Sequence, residues 1–206
     1  MSIDSIMRMA PVIPVLTMEE GLDPAALAET LVEAGLPVIE VTLRTPSALD
    51  AIRAMSKVDG AVVGAGTVLD EAQLARSIDA GARFIVSPGL TNPLALAARD
   101  TEIPFLPGVA TASEIMRGLD LGLDRFKFFP AEASGGLPAL KALAAPFANV
   151  SFCPTGGITE ASAPIWLAHP SVLCVGGSWI VPAGETGLAS IGSRARAAAA
   201  LRKPAA

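Results

Sequence analysis

Short runs rich in β-branched and aromatic residues recur along this chain, separated by stretches with helical spacing, and this alternation constrains the fold more than any single motif. The runs cover 12–16, 38–43, 61–67, 84–87, 105–109, 126–129, 151–155 and 172–175, and most start about 20 to 26 residues after the one before. Stretches such as 24–34, 47–55, 71–80 and 139–145 place apolar residues on one helical face. Parallel strands require crossovers of this length, so the pattern predicts repeated βα units. Eight such units predict an α/β fold, a (β/α)8 TIM barrel, as one domain over 1–206 with a short N-terminal helix and a last helix over 194–203. A doubly wound nucleotide-binding sheet would place a glycine-rich turn after its first strand, and none stands there. Gly64-Ala65-Gly66 stands at the end of the third run and lacks the third glycine, which marks a close backbone approach.

Composition narrows the class further. Hydrophobic residues make up 51%, charged residues 17%, and mean hydropathy is +0.53, which supplies a core and argues against disorder. The uncharged stretch 161–184 is interrupted by Pro164, Pro170, Gly176, Gly177 and Pro182, so it reads as helix, turn, buried strand and turn, with no membrane span. Fifteen basic against twenty acidic residues give a net charge of −5, and no basic-aromatic alternation offers a footprint for nucleic acid. Met1-Ser2-Ile3-Asp4-Ser5 has no basic leader and no adequate apolar stretch after it, from which a cytoplasmic location is expected. Cys153 and Cys174 lie in apolar runs and read as reduced core residues, forming neither a disulfide framework nor a metal pair.

Barrel chemistry collects at the C-terminal ends of the strands. In the second run, alternation sends Glu40, Thr42 and Arg44 to the face opposite Ile39 and Val41, so Glu40 points into the barrel, where a carboxylate needs a partner or a task. A surface glutamate is the plain alternative. In the sixth run Lys127 and Phe129 oppose Phe126 and Phe128, which makes Lys127 an interior candidate. Low-dielectric surroundings favour a neutral amine, and a neutral amine can attack a carbonyl to form a Schiff base. A strand-edge lysine snorkelling to water fits the sixth run equally well. The last two runs lead into Thr155-Gly156-Gly157 and Gly176-Gly177-Ser178, at the strand ends where many barrels cradle a phosphate with backbone N–H groups. His169 is the only histidine and has no acidic cluster beside it, so a catalytic metal is not expected; no Ser/His/Asp set supports a hydrolase.

Six segments carry a family likeness: Glu40-Val41-Thr42-Leu43-Arg44-Thr45, Val63-Gly64-Ala65-Gly66-Thr67-Val68, Ser87-Pro88-Gly89, Lys127-Phe128-Phe129-Pro130-Ala131-Glu132, Cys153-Pro154-Thr155-Gly156-Gly157-Ile158 and Gly176-Gly177-Ser178-Trp179. In this order, from about Pro11 to Pro182, the chain resembles the 2-keto-3-deoxy-6-phosphogluconate (KDPG) and 4-hydroxy-2-oxoglutarate aldolase family. The resemblance implies a class I lyase that needs no metal or cofactor and acts on a phosphorylated keto-acid. The products would be pyruvate and glyceraldehyde 3-phosphate, in the last step of the Entner–Doudoroff pathway, with 4-hydroxy-2-oxoglutarate a further substrate. It also implies a homotrimer. By position it makes Lys127 the Schiff-base lysine and Glu40 the general acid/base, with Arg44 and Thr67 holding the pyruvyl carboxylate. Pro88 and Phe129 would pack the pyruvyl part, and Thr155 would orient a hydroxyl or carbonyl. Two other classes remain on the residues alone: a phosphosugar isomerase or epimerase, and a silent phosphosugar-binding protein. Neither has a use for an inward lysine.

Overall fold

A computed structural model of the chain describes residues 1–201. The elements run α1 (Ile3–Met7), β1 (Val12–Leu16), α2 (Pro24–Glu33), β2 (Val38–Thr42), α3 (Ala48–Met55), β3 (Val62–Gly66), α4 (Glu71–Asp79), β4 (Phe84–Ser87) and α5 (Asn92–Asp100). They continue β5 (Phe105–Val109), α6 (Ala112–Asp120), β6 (Arg125–Phe128), α7 (Gly136–Ala144), β7 (Ser151–Pro154), α8 (Ala163–Leu167), β8 (Val175–Gly177) and α9 (Leu188–Ala199). All described pairings are parallel, in the order β7-β6-β5-β4-β3-β2-β1-β8. The ring closes through bridges from Phe152 to Val172 and from Thr155 to Gly176.

Three expected boundaries shift for physical reasons. The eighth strand, expected over 172–175, runs Val175–Gly177, because β1 pairs with Gly176 and Gly177, residues that sequence alone assigns to a turn. The helix expected over 139–145 begins at Gly136; Pro138 falls in its first turn, where a missing N–H costs little. The last helix spans Leu188–Ala199, and the end of the expected 194–203 segment lies outside the described residues.

Strand alternation sorts the core into two layers. Ile39, Val41, Val63, Phe126 and Phe128 face outward and pack with the helices. Ile13, Val38, Val62, Phe84, Val86, Leu106, Cys153 and Cys174 fill the barrel, and Ile6 and Met7 of α1 close its N-terminal end, both fully buried. Gly64 makes room in this inner layer, since a Cβ there would collide with the Phe84 ring. That is the close approach expected of the third run. The Cys174 thiol is pushed well above its ordinary range by a hydrogen bond with Cys153 and by burial, as suits two reduced core residues. The stretch 161–184 divides into α8 and β8, and among the described residues no helix is long and apolar enough to cross a membrane.

Asp4 holds the plug in place. It accepts from Arg125 Nε at 2.7 Å and from Arg8 Nε at 2.8 Å, tying α1 to the start of β6. The hydrogen bond from Arg8, then that from Arg125, keep its carboxyl below the usual carboxylate range. A group with a lowered folded pKa contributes stability above its ordinary value, about 3.9 for Asp, and that contribution fades as pH falls through the folded value. The thermal midpoint of Asp4→Asn should therefore lie below the parent's at neutral pH, with the gap closing in acid. A gap independent of pH between 7 and 2 would show that the charge contributes nothing.

Candidate active site

The inward carboxylate and the inward lysine meet. Lys127 Nζ donates to Glu40 Oε1 at 3.0 Å, and the two residues are 5% and 3% exposed. They come from β6 and β2, four places apart in the sheet order, so the bond crosses the barrel interior. Both alternatives, the surface glutamate and the strand-edge lysine, are thereby set aside. Glu40 fits because Gly66 on the paired strand has no side chain; a Cβ there would occupy the position of Oε1. Phe129, the other inward residue of the sixth run, places its ring centroid 5.2 Å from Nζ, which gives the amine a cation–π neighbour when charged.

The remaining expected residues ring the mouth. Leu43 N–H donates to Gly66 O at 2.8 Å, so pairing of β2 and β3 continues to the rim, where Arg44 and Thr67 follow. Arg44 is exposed and forms no ion pair among the described residues, which leaves its guanidinium available for an external anion. Thr67 has φ +59°, the left-handed region that a β-branched residue enters only under strain, typically about 1–3 kcal/mol, and such strain collects at functional sites. Pro88 follows β4, and its carbonyl sits so close to Gly108 that only a glycine fits there. Thr155 is buried; its Oγ1 lies 3.4 Å from the Cys153 carbonyl, in space that Gly176 leaves open.

Gly156 and Gly157 take φ +102° and +81°, conformations glycine adopts at little cost. Gly157 and Ser178 both line a cavity of about 520 Å³ at the ends of β1, β7 and β8, with Thr17 and Trp179. Their N–H groups have no backbone acceptor among the described residues. The glycines also have packing duties: a Cβ on Gly157 would strike Glu132, and one on Gly177 would strike the Trp179 ring. Glu132 is fixed in turn, donating its N–H to Gly156 O at 3.1 Å and accepting from Trp166 Nε1 at 3.1 Å. Thr17 and the supporting role of Glu132 escape a reading of the sequence, although Thr17 continues the inward alternation of β1. A larger cavity of about 570 Å³ lies at the opposite end of the barrel, where its one charged lining residue, Arg8, is already bonded to Asp4. Among the described residues no three His, Cys, Asp or Glu side chains converge as a metal site.

A (β/α)8 barrel with a buried lysine and a carboxylate joined across its interior has a nucleophile and a proton carrier suited to carbonyl chemistry, the equipment of the aldolases built on this fold. The chain is a member of the KDPG and KHG aldolase family, carbon–carbon lyases whose family profile matches residues 3–193. It is 58% identical over 203 residues to the 2-dehydro-3-deoxy-phosphogluconate aldolase of Zymomonas mobilis, covering 98% of each chain. The crystal structure of a Zymomonas mobilis 2-keto-3-deoxy-6-phosphogluconate aldolase with 3-phosphoglycerate superposes with a TM-score of 0.96 at 58% identity, over 98% of this chain and 97% of that one. The KDPG aldolase of Legionella pneumophila, with pyruvate captured as a covalent carbinolamine, superposes with a TM-score of 0.93 at 43% identity, over 97% and 98%.

Proposed function

We propose that this protein cleaves KDPG to pyruvate and glyceraldehyde 3-phosphate through a Schiff base on Lys127. The observation that carries the reading is the buried 3.0 Å contact between Lys127 and Glu40, which sets a nucleophile beside a proton carrier in one enclosed space. Proton transfer from Nζ to Glu40 leaves a neutral amine, which adds to the C2 carbonyl to give a carbinolamine; Glu40 then returns the proton to the departing hydroxyl, and loss of water leaves an iminium ion beside a free carboxylate. Glu40, directly or through one water, then takes the C4 hydroxyl proton. The C3–C4 bond breaks, its electron pair passes into the iminium as an enamine, and the aldehyde departs. Protonation at C3 and hydrolysis release pyruvate and restore the amine. The carbinolamine named for the Legionella relative supports this sequence.

Arg44 and Thr67 hold the pyruvyl carboxylate, Pro88 and Phe129 pack the pyruvyl part, and Thr155 orients a substrate hydroxyl or carbonyl. The phosphate rests on Gly156, Gly157, Gly176, Gly177 and Ser178, with backbone dipoles and one hydroxyl in place of a dedicated arginine. The relatives' names support a second substrate, 4-hydroxy-2-oxoglutarate, and a place at the end of the Entner–Doudoroff pathway. A homotrimer rests on the family resemblance.

The test is pyruvate released from KDPG with a chelator present, where full activity is expected and no release would overturn the reading. The phosphate assignment has an internal test within it. Ser178→Ala should remove one hydrogen bond to a charged group, worth about 1.5–3 kcal/mol, and lower kcat/KM for KDPG about 10- to 150-fold. The same variant should change cleavage of 4-hydroxy-2-oxoglutarate far less. Equal losses would move the phosphate elsewhere. Substituting Gly157 or Gly177 is a poorer probe, because Glu132 or Trp179 would be displaced as well.

A further inference from the structure

At the mouth, two threonine hydroxyls form a chain whose protons can be assigned. Thr42 Oγ1 lies 2.8 Å from the carbonyl oxygen of Leu16, a group that only accepts, so the single Thr42 proton is committed there. Thr17 Oγ1 lies 3.1 Å from Thr42 Oγ1. With the Thr42 proton spent, Thr17 must be the donor of that bond. The Thr17 oxygen is then left with lone pairs and no proton to offer.

Thr17 lines the same cavity as Gly157 and Ser178. It follows β1, which lies between β8 on one side and β2 on the other, and so between the strand ends assigned above to the phosphate and to the carboxylate. An oxygen that can only accept repels an anion and suits a neutral hydroxyl. On the aldolase reading, the carbons between those two charged ends carry the C4 and C5 hydroxyls, and C4 surrenders its proton in the reaction. We propose that Thr17 is a specificity-determining acceptor for the C5 hydroxyl of the substrate, the hydroxyl of the aldehyde product. The inference rests on the aldolase reading and adds to it a residue that selects hydroxylated aldehydes.

The experiment runs the reaction in the condensing direction, pyruvate with glyceraldehyde 3-phosphate or with 3-phosphooxypropanal, which lacks the hydroxyl. Thr17→Val, of similar shape but without the oxygen, should lower kcat/KM for glyceraldehyde 3-phosphate about 3- to 10-fold and narrow the parent's preference over the deoxy aldehyde by the same factor. Thr17→Ser keeps the acceptor and should keep the preference. An unchanged preference in Thr17→Val, or a preference lost equally in Thr17→Ser, would overturn the assignment. Failure of the parent protein to condense either aldehyde, or to exchange the methyl protons of pyruvate, would instead overturn the aldolase reading beneath it.

Discussion

Lys127→Ala is expected to reduce KDPG cleavage by at least about 10³-fold, because among the described residues the other lysines, Lys57 and Lys141, are exposed, leaving Lys127 to form the imine that accepts the electrons of the breaking C–C bond. A variant that leaves Glu40 buried without its partner also loses stability, so loss of activity alone would be ambiguous. Chemical trapping in the parent protein removes the ambiguity. Pyruvate with borohydride should attach irreversibly to one lysine, and peptide mapping should find it at Lys127, since Nζ is the amine that sits inside the barrel against a carboxylate. Labelling at Lys57 or Lys141, or full labelling in Lys127→Ala, would end the Schiff-base assignment.

Glu40→Gln should cost about 10²- to 10⁴-fold in turnover, the usual worth of a general acid–base group. Glutamine is nearly isosteric and its side-chain oxygen can still accept from Lys127 Nζ, so the space opened by Gly66 remains filled and the lysine stays placed. The separation of roles is therefore readable. Borohydride trapping of pyruvate at Lys127 should persist in this variant, while cleavage and exchange of pyruvate's methyl protons both collapse. A loss below tenfold in both would assign the proton transfers to another group.

The inward aim of Glu40 and Lys127 is legible because a strand's side chains alternate with a period of two, and Ile39/Val41 and Phe126/Phe128 leave no other face for them. That they touch is not legible. The contact depends on barrel closure and on a missing Cβ at Gly66, a residue that presents itself in sequence only as half of a glycine pair. The eighth strand runs beyond its β-branched stretch for a related reason. Gly176 and Gly177 look like a turn until β1 pairs with them, and their lack of side chains serves Thr155 and Trp179. The left-handed backbone of Thr67 leaves no trace in its residue type, which is one that ordinarily avoids it. Thr17 stays hidden because its character depends on where another residue's proton goes, and that is a fact of distance.

The floor of Ile6 and Met7 and the packed layer above it close the N-terminal end, which leaves the end where the strands finish as the approach to Lys127 and Glu40. On the proposed chemistry, traffic through that end has an order. The three-carbon fragment stays bound to Lys127 through nitrogen, whereas the aldehyde half carries no bond to the protein and leaves first. Until it leaves, the enamine can be recaptured by the same aldehyde, so cleavage and condensation use the same entrance in opposite directions. The pyruvyl fragment enters first in synthesis and departs last in breakdown, because it alone is tied to the barrel through nitrogen.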